Sequence, residues 1–299
     1  MRIFDKIRRA FGINREPLSH YIPTGKERTP DKPKYEEFKV FDNKEVRKLV
    51  REQLLENIRE KYSDEATNVK GKDIIYEFEK AYNKLERADL GGSFEDLKEA
   101  FKKESLIILI CGKRGSGKSV AGFKLLENIC ALNKSRNGFV IGSNPSAFPD
   151  FIKPLEDIEE APNDSIVLVD EGALEFNARR SQGKKAVNLT KIMAIARHKD
   201  LTLIFITQQT RIIDVNCLGM SDILVFKEPS IMQEKTDRKE VKKFYEKIKY
   251  FFKSFSKENR KKFAYCFGDD FRGFVGISLP SFWTDELSKS YSDLGEVEE

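Results

Sequence analysis

"GKRGSGKS", residues Gly112–Ser119, is the stretch that decides the fold. It satisfies G-x-x-x-x-G-K-[ST] at every position, and its flanks have the texture that pattern needs. Before it stands an aliphatic run, "LIILIC" (106–111), and after it a helical run, "SVAGFKLLENICAL" (119–132). A strand, a glycine loop and a helix in that order predict a phosphate-binding loop. Gly112, Gly115 and Gly117 let the backbone turn so that N–H groups converge on phosphate oxygens, with Lys113, Arg114 and Ser116 completing the loop. The start of the helix adds the positive end of its dipole. Lys118 is expected to reach the β- and γ-phosphates of ATP, and Ser119 to offer its hydroxyl to Mg2+.

Outward from the loop, the chain alternates short apolar runs with helical segments: "GFVIG", "SIVLVD", "LTLIFIT" and "DILVF" follow "LIILIC". Runs that are apolar without alternation fit parallel strands covered by helices on both faces. The predicted fold class is therefore α/β, a mostly parallel sheet flanked by helices. "SIVLVDE" ends in Asp170 and Glu171. A carboxylate at the tip of a buried strand is costly without a partner, and Mg2+ beside the phosphate loop supplies one for Asp170. Glu171 is placed to orient and deprotonate an attacking water. In "ARHKDLTLIFITQQ", Gln208 leaves the carboxyl end of a strand, where ligands of such sheets collect, and its amide can donate to phosphate and accept from water. Arg197 stands eleven positions earlier, before that strand begins, so it is expected at the far end of the sheet, within reach of a neighbouring subunit's phosphates rather than its own.

Together "GKRGSGKS", "SIVLVDE" and "ARHKDLTLIFITQ" resemble the FtsK/HerA superfamily of ring-forming, DNA-moving P-loop ATPases over about residues 105–228. Within it they look most like the zonula-occludens-toxin-like ATPases, a likeness carried by "DEGALEFNARR" and "ARHKDLTLIFITQQTRIID". The resemblance implies a RecA/ASCE-like core and a homo-hexameric ATPase that translocates DNA, in packaging or transfer by a virus or mobile element. It also implies roles: Lys118 and Ser119 as Walker A residues, Asp170 and Glu171 as the Walker B pair, Gln208 as the strand-end glutamine and Arg197 as an arginine finger given to the next subunit. The alternative within the same resemblance is an assembly or secretion ATPase acting on a protein polymer. The toxin-like members typically carry a membrane span after the ATPase domain, and this chain has no run of about 18 apolar residues.

The rest of the 299 residues divides into segments. Residues 1–34 comprise a basic amphipathic helix, with Ile3, Phe4, Ile7 and Phe11 opposite Arg2, Lys6, Arg8 and Arg9, and a proline-interrupted linker. That helix fits a membrane surface, a partner or the protein's own body. Residues 35–104 read as a helical appendage, with helical spacing at 43–62 and 72–89 and a capping box, "SFED", at 93–96. The core is expected at 105–229. From 230 to 299 come a basic helical stretch and two strand-like runs around Gly268-Asp269-Asp270.

Composition excludes several classes. Lys and Arg number 54 against 49 Asp and Glu, a formal charge of +5, too small to declare a nucleic-acid partner alone. Four dispersed cysteines and two histidines give no disulfide framework, no zinc pattern and little scope for histidine chemistry. A cytoplasmic location, or a virion-associated one for a viral protein, is the expectation. Arg179, Arg180, Lys184 and Lys185 surround a glycine between Glu171 and Arg197, forming a candidate loop for phosphate-backbone contact. Charge alone reads the same loop equally as solvated surface.

Overall fold

In this computed structural model the described residues are 33–53, 91–141, 148–170, 185–208, 218–284 and 287, apart from the single positions 37, 43, 47, 51, 104 and 254. For Val40 and residues 185–191 only the backbone is described. All fall within the second of the chain's two units, Lys32–Glu299. The amphipathic helix and linker expected at 1–34, most of the appendage, Glu171 and the loop residues Arg179, Arg180 and Lys184 lie outside the described residues, as does the side chain of Lys185.

The strands are β1 (Lys39–Phe41), β2 (Leu106–Cys111), β3 (Gly138–Ile141), β4 (Ile152–Leu155), β5 (Ile166–Val169), β6 (Thr202–Thr207), β7 (Ile223–Phe226), β8 (Phe263–Gly268) and β9 (Arg272–Gly276). They form one sheet in the order β1-β9-β8-β7-β2-β6-β5-β3-β4. From β7 to β4 every pairing is parallel; β8, β9 and β1 extend the sheet by antiparallel pairing. The helices are α1 (Phe94–Phe101), α2 (Lys118–Leu132), α3 (Lys185–His198), α4 (Ile231–Thr236), α5 (Lys239–Lys253) and α6 (Lys257–Arg260). This is the α/β arrangement that the unalternating runs predict, and all five of those runs are strands of the parallel portion.

The physical reason is visible residue by residue along β2. Ile107, Leu109 and Cys111 enter one buried cluster, with Ile192, Met193 and Ala196 of α3 and Tyr245, Ile248, Phe251 and Phe252 of α5. Leu106, Ile108 and Ile110 enter the other, with Leu97 and Phe101 of α1 and Phe123, Leu126 and Ile129 of α2. Both faces of the strand are dry, so no position can be polar. The apolar face of α5 is core: Phe251 stacks on Phe274 with ring centroids 3.8 Å apart. Phe244 of the same helix stacks on Phe226 at 5.1 Å. Ser93 caps α1 in the expected box, its hydroxyl accepting from Asp96 N while Asp96 accepts from Ser93 N.

Two strands were not legible as such. β1 lies in the segment expected to be helical, where Phe38 and Phe41 are three residues apart and enter opposite clusters, a spacing that also suits a helix. A helical run follows it, with Val46 and Val50 buried and Leu49 packed against them, and Asp42 and Glu45 capping each other's backbone. β4 contains Pro154, tolerated because it is the sheet's edge.

Candidate functional site

Strand register brings the expected residues to one edge. Cys111 pairs with Thr207 on one side and Phe226 on the other, so the loop that begins at Gly112 and Gln208 leave adjacent strands at the same level. Val169 pairs with Phe205, which sets Asp170 one residue short of that level on the next strand. β6 thus separates the phosphate loop from Asp170, and at roughly 4.8 Å per strand the two are about 10 Å apart across the sheet. Gln208 stands between them.

The loop is built as the glycines require. Gly115 and Gly117 hold φ of +71° and +85°, left-handed values that other residues adopt only with strain. A Cβ on Gly115 would meet nothing within 4 Å, so the loop is open there. Gly117 is the N-cap of α2 and leaves the helix's first N–H groups without a side-chain cap. Lys118 is 7% exposed and its Nζ donates to Lys113 O at 3.0 Å. Ser116 is 3% exposed, and its Oγ has no hydrogen-bond partner. An orphaned buried hydroxyl, a curled-back lysine and uncapped helix N–H groups together fit a phosphate chain as the absent partner. Ser119 and Asp170, both half-buried, supply the oxygen donors that suit Mg2+. No group of three or more His, Cys, Asp or Glu gathers as a metal site among the described residues.

Gln208 is half-buried, and its main-chain carbonyl accepts from the Gln233 side chain on α4, which itself completes a capping box with Ser230. Arg197 stands apart from all of these. It is exposed in the last turn of α3, before β6 begins, and six residues of strand separate the two ends of the sheet by roughly 20 Å.

Sequence reasoning missed what lies behind the loop. The segment after β7 packs on it: Lys227 N donates to Cys111 O at 2.7 Å, and a Cβ on Gly112 would come within 2.6 Å of the Lys227 Cβ. The Lys227 side chain is fully buried and its Nζ donates to Lys261 O at 2.7 Å. Burial pushes its pKa down to about 7, with the Lys118 charge acting in the same direction and Cys266 opposing. Glu228 bridges Lys113 and Arg260 at 2.6 and 2.7 Å. The signal was available: Lys227 and Glu228 are charges at the tip of a buried strand, the same anomaly that singled out Asp170.

No family model and no curated protein matches this chain. Among solved structures, it is similar to the DNA-packaging ATPase B204 from Sulfolobus turreted icosahedral virus, at 14% identity over 59% of this chain and 99% of that one, with a TM-score of 0.38. It is also similar to the N-terminal domain of zonular occludens toxin from Neisseria meningitidis, at 21% identity over 43% and 79% of the two chains and a TM-score of 0.30. A third is the pCW3 conjugation coupling protein TcpA with ATPγS, at 13% identity over 69% of each and a TM-score of 0.41. Likenesses of this size decide neither activity nor substrate.

Proposed function

We propose that the chain is an ATP-hydrolysing motor that works as a ring, a homo-hexamer by its resemblance, and moves DNA. The observation that carries the nucleotide part is the Gly112–Ser119 loop, with Ser116 Oγ buried and unpartnered, Lys118 folded over the loop, and Asp170 and Gln208 at the ends of the two nearest strands on one side. In this reading the loop N–H groups and Lys118 hold the phosphates of ATP, and Ser119 and Asp170 hold Mg2+, which would neutralise phosphate charge. Glu171 takes the proton of the attacking water, and Gln208 senses the terminal phosphate.

Support for a polyanionic track comes from α5 and α6. Lys239, Lys243, Lys253 and Lys257 are exposed there, with Lys261 and Lys262 just beyond, against three exposed acids, Glu240, Glu246 and Glu258. Lysines offer contact to a phosphate backbone without reading sequence, as a translocating motor needs. The loop Arg179, Arg180, Lys184 and Lys185 is the second proposed contact. No helix among the described residues is long and apolar enough to cross a membrane.

One measurement tests the reading: ATP turnover with and without DNA across a salt series, with Lys118→Ala as the control. DNA-stimulated turnover that fades with salt, and is lost in the variant, is expected. Turnover indifferent to DNA but raised by a protein polymer would assign the assembly-ATPase role instead, and nucleotide binding unaffected by Lys118→Ala would remove the phosphate-loop assignment.

A further inference from the structure

The phosphate loop is gripped from behind by two stretches of chain more than a hundred residues further on. The carboxylate of Glu228, its side chain 12% exposed, receives Lys113 Nζ on one oxygen at 2.6 Å and Arg260 Nη1 on the other at 2.7 Å. Lys113 is held a second time by the same residue, its N–H donating to Glu228 O at 3.0 Å. Arg260 is anchored in turn, Nε donating to Phe255 O at 2.6 Å. One residue on, Lys261 O accepts from Lys227 Nζ and lies 3.2 Å from where a Cβ of Gly117 would stand. The segment Ser256–Lys262 therefore touches the loop at both ends, at Lys113 through Glu228 and at Gly117 directly.

An acid beside an anion-binding loop repels the anion unless its charge is spent elsewhere. Here it is divided between two cations, one on the loop and one on the segment. Charge-assisted bonds of this kind are short and directional, so they fix position as well as charge.

We propose that Glu228 is a positioning residue for the phosphate loop, tying Lys113 to Arg260 so that the loop's affinity for nucleotide depends on where the Ser256–Lys262 segment sits. The inference rests on the nucleotide-binding reading above. By linkage the dependence is reciprocal: nucleotide on the loop must hold the segment in place. Amides of that segment report it, since Arg260, Lys261 and Lys262 N–H donate to Ser256, Glu258 and Asn259 carbonyls.

The test uses the full chain with ATPγS and Mg2+. Glu228→Gln and Arg260→Met should each weaken ATPγS binding by roughly 5- to 100-fold, the usual span of a coupling between sites. The double variant should be no worse than either single, because both break one relay, and Arg260→Lys should recover part of the loss. In the wild-type chain ATPγS should slow hydrogen exchange at residues 256–262, and in Glu228→Gln it should not. Should Glu228→Gln fail to fold, Arg260→Met carries the same expectations. Variants that melt at lower temperature yet bind ATPγS like the wild type would overturn the inference, leaving Glu228 a structural brace. So would segment exchange that ATPγS does not move in the wild-type chain. A wild-type chain that binds no nucleotide would overturn the nucleotide reading and this inference with it, whereas wild-type binding with unaltered variants overturns the inference alone.

Discussion

The two ends of the sheet treat charge in opposite ways. At the amino end, charged side chains saturate backbone. Arg136, 3% exposed, donates to the carbonyls of Lys103, Asp164, Ser165 and Asp200 and pairs with the Asp164 carboxylate at 2.8 Å. Asp222 accepts from Ile107 N at 2.7 Å, and Lys199 donates to Glu159 and Ala161 carbonyls. At the carboxyl end the loop holds left-handed glycines, a hydroxyl with no partner, and Lys118 close enough to a second buried lysine, Lys227, to depress its pKa. Thr202 Oγ, at the amino end, is also without a partner but is wholly buried in the sheet. The difference teaches where to look for chemistry: at the amino end the charges are spent on the fold, and at the carboxyl end Lys227 and Glu228 are spent likewise while the Ser116 hydroxyl has no partner and the first N–H groups of α2 have no side-chain cap.

Arg197 is the test that could break this division, because it is an exposed charge at the structural end to which the resemblance gives a role in turnover. As a finger acting on the next subunit, its loss should cut turnover by ~10³ to 10⁵ while leaving ATP affinity near wild type. Arg197→Ala subunits mixed with Lys118→Ala subunits, each inactive alone, should regain activity where an intact finger meets an intact loop. No recovery in verified mixed rings would return Arg197 to the fold's side of the ledger.

Arg136→Met should have the converse signature. It strands four carbonyls, while the Asp164 carboxylate, half exposed, keeps its water, so urea unfolding should show a loss of about 1 to 3 kcal/mol, with ATPγS affinity of the folded protein unchanged. A change in affinity without a change in stability would erase the distinction between the ends.

Sequence legibility divides along a different line, that of distance in the chain. The loop, five of the six parallel strands, the box at Ser93 and the hairpin around Gly268-Asp269-Asp270 were readable because each is specified by residues within a few positions of one another. The grip on the loop was not: Glu228 and Arg260 are 32 positions apart, Lys227 and Lys261 34. Arg136 reaches carbonyls 28 to 64 positions away. Nothing local marks such partners; only the sheet order, which sets β7 beside β2 and hangs β8 on β7, brings them together. The roles of Glu171 and the 179–185 loop rest on sequence still.

Lys227 sharpens the comparison most finely, since it is a charge at the ligand's end that the fold itself must accommodate. Its folded pKa of about 7, against the ordinary 10.5, reflects burial first, opposed by Cys266, with the neighbouring Lys118 charge adding a smaller push downward. Between pH 7 and 10.5 the unfolded chain therefore binds more protons at this residue than the folded one, so its contribution to stability rises with pH through that window. Below pH 7 the lysine is protonated in both states and the cost of burying its charge is fully present. Lys227→Met removes the linkage, while the other titrating groups are common to both proteins and cancel to first order. The stability of the wild type relative to Lys227→Met should rise by up to ~1.4 kcal/mol per pH unit above pH 7, read from urea unfolding at pH 7, 8 and 9. A difference that stays flat across that range would mean that Lys227 keeps its charge when folded. Its ammonium would then be held in the interior by the Lys261 carbonyl.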